Sequence, residues 1–169
     1  EFRRVLFRSG RPGMRTADLR KHASDPHLLV SLGYLAELVP YLRETGIGMY
    51  RIASGLAPYG THPAMPERAW RLQHDAASRE LEAVGQAFRD ADVRLSTHPS
   101  QYVVISSPNA DLVERSLDEL EADAVLLDRL GADDRGRVIT HVGGRYDDPE
   151  AARERWVRAY ERAPEPVRR

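Results

Sequence analysis

Cysteine is absent from this 169-residue sequence. That excludes a disulfide frame, a thiolate nucleophile and any cysteine-based zinc site. Lysine is nearly absent as well: Lys21 is the single one, and the other 24 of the 25 basic residues are arginine. Two readings of that bias stand, GC-rich coding and phosphate recognition by the bidentate guanidinium fork. No apolar run comes near the roughly 18 residues of a membrane helix. There is no GxGxxG or Walker A sequence, so the nucleotide-binding α/β folds lose ground. A net charge of −1 gives no bulk basic field to attract nucleic acid. Local clustering of charge still leaves a DNA enzyme open.

What is present is ordinary for a globular chain: 41% hydrophobic and 30% charged residues, and length enough for one domain with its own core. A soluble, cytoplasmic protein that does not engage membranes is the expectation. The opening nine residues, "EFRRVLFRS", carry crowded charges without a period. Back-translated, they read as a sequencing adapter in frame, so Glu1–Ser9 is expected to be a library artefact and is set aside. Residues 10–169 are taken as one domain, expected to be incomplete because no strand follows the last helical stretch.

Apolar residues at helical spacing mark Leu28–Thr45, ending near Gly46, with Pro40 predicting a kink or break. Met49–Ala53 ("MYRIA") reads as a strand, and Ser54–Pro66 as a Gly- and Pro-rich loop. Glu67–Asp90 is an amphipathic helix with Trp70, Ala77, Leu81, Val84 and Phe88 on one face. Val93–Thr97 is the next strand. Asn109 caps a third helix whose stripe is Val113, Leu117, Leu120, Ala124 and Leu127, and Gly131 ends it. Arg137–His141 ("RVITH") is a third strand. Asp148-Pro149 pairs a cap with a proline at the first helical position of a last helix. Alternation of this kind argues for an α/β protein with a parallel sheet. The loop after each strand is longer and more polar than the loop before it, which suits a partial (β/α)8 TIM barrel with about three βα units. A doubly wound open sheet competes with it.

Three of the six histidines stand at the carboxyl ends of strands: His62 in "GTHP", His98 in "STHP" and His141 in "ITHVGG". In a parallel barrel that places them around one mouth. Neutral imidazole is the commonest metal ligand, and three of them favour a borderline divalent metal such as Zn or Mn. A histidine at a strand end can equally be a hydrogen-bonded structural residue. His74, on the long helix, reads as a surface or packing residue. Gly143-Gly144 would let backbone pass close to a ligand, and Pro63 and Pro99 hold the preceding histidines extended.

The blocks "YRIASGLAPYGTHP", "RLSTHPSQYVVISSPNADLVERSLDEL" and "ITHVGGRYDDPEAARERW" resemble successive blocks of the UV damage endonucleases. That family shows "FRISS…P…SHP", "RLSxHPGQF/Y" and "HxGGxYGDK" in this order. The resemblance runs from about Thr16 to the C-terminus and corresponds to the N-terminal half of a family member. It implies a TIM barrel that uses a cluster of divalent metals, usually manganese, to nick damaged double-stranded DNA 5′ to UV photoproducts and other lesions. Carried over by position, His62, His98 and His141 would be metal ligands. Gln101 and Tyr102 match the pair that probes the lesion by inserting into the duplex. Arg51 and Tyr59 are expected at the same mouth as phosphate or lesion contacts.

Departures from the family pattern are specific. Ser100 stands where the family has glycine, which would be strained if that position needs a positive φ. Tyr146–Pro149 reads "YDDP" for "YGDK", without the lysine. The next carboxylate ligand, in a "LEND"-like block, is expected beyond Arg169, so the chain is expected to be inactive alone. Two alternatives remain open. One is a related metal-dependent barrel, an abasic-site endonuclease or a sugar isomerase. The other is a non-catalytic barrel-derived binding module.

Overall fold

A computed structural model describes residues 27–57, 59–63, 65–144 and 146–168. Glu1–Ser9, with its adapter-like reading, and His22 lie outside the described residues. The element order is α1 (His27–Glu44), β1 (Met49–Ala53), α2 (Ala69–Ala76), α3 (Ser78–Asp90), β2 (Arg94–His98), α4 (Ala110–Arg129), β3 (Arg137–Val138), α5 (Pro149–Glu161) and α6 (Glu165–Arg168). The strands form one parallel sheet in the order β1-β2-β3. Met49 pairs with Arg94 and Ala53 with His98, so the carboxyl ends of β1 and β2 are level. Thr97 pairs with Val138.

Helices cover one face of this sheet. Ile52 and Leu95 are buried with Leu28, Leu32, Leu35 and Leu42 of α1 and with Leu81, Val84 and Phe88 of α3. On the opposite face of β1, Met49, Arg51 and Ala53 are exposed. A doubly wound sheet carries helices on both faces, so one-sided cover agrees with the barrel. The predicted caps form. Asn109 Oδ1 accepts from the Leu112 N–H at 3.2 Å. Asp148 Oδ1 accepts from the Glu150 and Ala151 N–H groups at 3.0 and 3.1 Å, with Pro149 as the first helical residue. At the far end of α4, Gly131 turns left-handed at φ 62°. Arg89 Nη1 donates to the Leu130 and Gly131 carbonyls at 2.7 and 2.9 Å, satisfying two acceptors the helix end leaves open.

Three expectations are corrected. The helix expected over Glu67–Asp90 is two helices that meet at Ala77, whose φ of −105° and ψ of 17° leave the helical region. The buried stripe runs unbroken across that joint because Ala77 is itself fully buried, and periodicity therefore conceals the bend. The bend follows from two partners: α2 is tied to α4 through Trp70 and Asp118 and through Arg71 and Glu121, whereas α3 packs into the α1 core. Pro40 does not break α1, which runs through it. Pro40 faces solvent while Leu38, Val39 and Leu42 are buried around it, so packing on both sides of the missing hydrogen bond holds the helix. Strand β3 stops at Val138 rather than reaching His141. The Ile139 N–H still donates to the Thr97 carbonyl at 3.0 Å, and beyond it the chain leaves the ladder.

Behind the sheet lies a polar layer. A cavity of about 30 Å³ between the β1–α2 loop and α4 is lined by Trp70, His74, Glu119 and Asp123 among others. Of the two readings open for His74, packing holds: it is buried, with its ring against that of Trp70. Burial, and then the charge of Arg129, lower its pKa to about 4, against an opposing pull from Asp75. Burial, and then the charge of Glu119, push the Asp123 carboxyl up to about 7, with the nearby Thr97 hydroxyl opposing. Folded Asp123 keeps a proton that the unfolded chain releases, so its penalty is absent below about pH 4 and grows until about pH 7. Folded His74 refuses a proton that the unfolded chain takes, so its penalty is absent above about pH 6.5 and grows as pH falls toward 4. The two slopes oppose one another in the shared window.

Asp123→Asn is therefore expected to stabilise the chain increasingly as pH rises, with no gain near about pH 4 and the full gain near about pH 8. Urea titrations across that range measure it, and a gain that does not vary with pH would contradict the assignment. A second test concerns Gly85, where a Cβ would lie 1.7 Å from the Leu130 carbonyl oxygen. Helix propensity alone favours Gly85→Ala by about 1 kcal/mol, but overpacking against backbone costs about 3 kcal/mol. A net loss of about 2 kcal/mol is expected from these two terms, and a rise in melting temperature would show that α3 and α4 do not meet at this point.

Candidate functional site

Strand β2 ends at His98, and the following loop turns back over α4. The Val103 N–H donates to the Ser100 carbonyl at 3.1 Å, so Ser100–Val103 is a β-turn with Gln101 and Tyr102 as its central residues. Both are exposed, and Tyr102 keeps 73% of its surface in solvent. The turn is held on both sides. The Ser100 N–H donates to Glu119 Oε1 at 2.7 Å. The Val104 N–H donates to Ser116 Oγ at 3.0 Å, and that hydroxyl donates to the Leu112 carbonyl at 2.7 Å. Val103 and Ile105 are buried with Val113, Leu117 and Leu120 of α4 and with Ala159 and Ala163. Tyr102 therefore does not pack under its loop: it stands on a fixed base, facing out. Ser100 has no positive φ, so serine in place of the family glycine brings no left-handed strain.

The sequence places three histidines at strand ends, and the structure brings two of them together. The His98 and His141 rings meet edge to face, with centroids 4.9 Å apart. His98 Nδ1 lies 2.8 Å from the Pro99 carbonyl oxygen. A carbonyl only accepts, so Nδ1 carries the proton, and in the neutral tautomer this selects, Nε2 is the nitrogen with the lone pair. Donation of the second ring nitrogen to a carbonyl is the usual support of a metal-binding histidine. His62 is elsewhere. It is exposed on the β1–α2 loop, with its ring 5.7 Å from that of Tyr59. Among the described residues no three His, Asp or Glu side chains converge as a metal ion would need.

Register puts Arg51 opposite Ser96, two positions before the Ala53–His98 pair. It is thus exposed on the open face of the sheet, below the rim. Tyr59 takes a left-handed φ of 59° in a loop fixed to α2. There the Trp70 N–H donates to the Gly60 carbonyl at 3.1 Å, and a Cβ on Gly60 would meet the Trp70 Cβ at 2.7 Å. On the third loop, Gly143 at φ 101° approaches Ser106, whose Oγ would lie 2.5 Å from an added Cβ. The close approach allowed by this glycine is to the neighbouring loop.

Glu119 and Ser116, which hold the Ser100–Val103 turn, were not singled out from the sequence. Ser116 gave one signal: a hydroxyl three residues after Val113 on the apolar face of α4. Glu119 gave none, because a carboxylate beside such a stripe reads as solvated.

Comparison with known proteins agrees with the geometry. A family model for UV-endonuclease UvdE matches residues 29–169. The UV DNA damage endonuclease of Clostridium perfringens is 28% identical over 85% of this chain and 35% of its own length. A putative UV-damage endonuclease of Acanthamoeba polyphaga mimivirus is 30% identical over 96% of this chain and 50% of its own length. The crystal structure of SacUVDE superposes with a TM-score of 0.80 at 25% identity, covering 92% of this chain and 52% of that one. The chain thus spans about a third to a half of the length of these relatives. With the fold, the motif order and the family model in agreement, the chain belongs to the UV-endonuclease UvdE family.

Proposed function

We propose that this chain is the part of a metal-dependent DNA repair endonuclease that reads damage and contributes two ligands to the metal centre. The complete enzyme would nick double-stranded DNA 5′ to UV photoproducts and other lesions. The observation that carries the reading is the Ser100–Val103 turn. It holds a glutamine and a 73%-exposed tyrosine outward on a buried base, directly after His98. An exposed aromatic at a fixed tip contributes little to folding, but it can stack on an unpaired base for about 1–3 kcal/mol. Gln101 beside it offers both a donor and an acceptor to a base edge.

Two side chains of the type that ligates a divalent metal stand side by side, and we propose that they hold manganese together with ligands from the longer protein. His98 has a lone pair left free by its bond to Pro99, and His141 is its ring neighbour. A divalent ion bound there would activate water and stabilise charge on the attacked phosphate. The protein's own work is to hold His98 in one tautomer and to keep the probing turn at a fixed distance from it. Two imidazoles without carboxylates do not neutralise a cluster of cations, so we propose that the segment on its own is inactive and that activity belongs to the longer protein. No helix among the described residues is long and apolar enough to cross a membrane.

Tyr102→Ala in the complete protein is expected to weaken binding to a UV-damaged duplex about tenfold to a hundredfold, the loss of one stacked base, while leaving binding to undamaged duplex unchanged. Fluorescence anisotropy with both duplexes measures it, and an equal loss on both would remove the probing role. His98→Ala is expected to abolish manganese-dependent nicking while damaged-duplex binding persists. Retained nicking would sink the ligand assignment. Cleavage of abasic but not UV-damaged DNA by the parent protein would move the reading to an abasic-site endonuclease.

A further inference from the structure

Three loops leave the carboxyl ends of the strands, and two of them are tied together by one residue of a helix. Arg155, on α5, donates from Nε to the Ser106 carbonyl in the β2–α4 loop at 2.8 Å. Its guanidinium lies 5.5 Å from the ring centroid of Tyr146 in the β3–α5 loop, as a cation–π contact. Between these points Gly143 comes against Ser106 so closely that no side chain would fit. Ser106 is wholly buried. Tyr146 and Asp147 both hold left-handed φ values, 49° and 64°, which presents the tyrosine ring to the arginine. The first loop follows His98 and carries Gln101 and Tyr102; the second follows Val138 and carries His141.

From this arrangement we infer that Arg155 is a positioning residue that locks the damage-probing loop to the His141 loop and so fixes the distance between the probed base and the attacked phosphate. The inference rests on the endonuclease reading above. Its physical logic is that each loop has its own root. The probing turn is fixed to α4 by Glu119 and Ser116, and the His141 loop is fixed to α5 by the Asp148 cap. Arg155 adds a bond between the two loops rather than within either one. Its Nη2 is buried with no hydrogen-bond partner among the described residues. A buried donor left unpaired is destabilising, and an apolar side chain would pack the loops without that cost. Lysine has no planar fork to donate to Ser106 while lying over a ring, so the proposed role is specific to arginine.

The test uses the complete protein, with Arg155→Lys and Tyr146→Leu compared with the parent. Tyr146 is 41% exposed, so its substitution removes the cation–π contact with little effect on folding. Two quantities are read: hydrogen exchange of the loop amides without DNA, and the position and rate of nicking on a duplex with a single lesion. Both variants are expected to speed exchange in residues 99–107 and 141–147 together, leaving the strands unchanged. Affinity for damaged duplex should stay within about twofold while kcat falls about tenfold to a hundredfold, the usual loss when support of a metal ligand is removed. Nicks should spread from one phosphodiester to its neighbours. Faster exchange in one loop alone, or in neither, would overturn the clamp whatever the activity. Faster exchange in both loops with a single unchanged cut position would overturn its role in setting the distance. If the parent protein does not nick damaged DNA, the endonuclease reading fails, and hydrogen exchange still decides whether the two loops are locked.

Discussion

Everything at the proposed site depends on the parallel register of three short strands. Because Ala53 pairs with His98, and the Ile139 N–H continues the ladder onto the Thr97 carbonyl, the strands release their chains at one level and on one side. A parallel sheet can do this only if a helix returns the chain between strands. The alternation of apolar stripes with short β-branched runs is thus the reason the histidine loops share a rim. A slip by one residue would turn His98 from the open face into the helix-covered face. The burial of Ile52, Leu95 and Thr97 on that covered side resists such a slip.

The site combines a fixed base with an exposed tip. Val103 and Ile105 are buried, and the hydrogen bonds to Glu119 and Ser116 close the turn from the α4 side. Gln101 and Tyr102 then occupy the two exposed positions of the turn. This lowers the conformational entropy that binding would otherwise lose. The same helix therefore stabilises the fold through Leu117 and Leu120 and sets the posture of Gln101 and Tyr102 through its polar edge.

Much of this was legible in the sequence, for identifiable reasons. The order of strands and helices, the caps and the α4 stripe follow from period and from Asn109, Gly131 and Asp148-Pro149, whose chemistry acts locally; the end of β3 does not. The meeting of His98 with His141 follows from their lying at or just beyond the carboxyl ends of adjacent strands. His62 belongs to a longer loop whose path is set by Gly60 and Trp70, a contact with no local signature, and the structure leaves it apart from the pair. The joint at Ala77 was hidden because a buried alanine preserves the helical period while the backbone bends. The Pro40 break was overestimated because two flanking buried turns outweigh one lost hydrogen bond. The burial of His74 and Asp123 comes from the meeting of α2 and α4, distant in sequence. Their tuned protonation could be read only once those helices were placed together.

The central claim is that the carboxyl ends of β2 and β3 form the metal-binding side of a DNA-reading mouth. The most direct measurement is a manganese titration of the complete protein with isotope-labelled histidines, followed by NMR. Paramagnetic broadening is predicted for the His98 and His141 ring signals at the first additions of metal, while His74, buried behind the sheet, stays sharp. Broadening that leaves both His98 and His141 untouched would contradict the account.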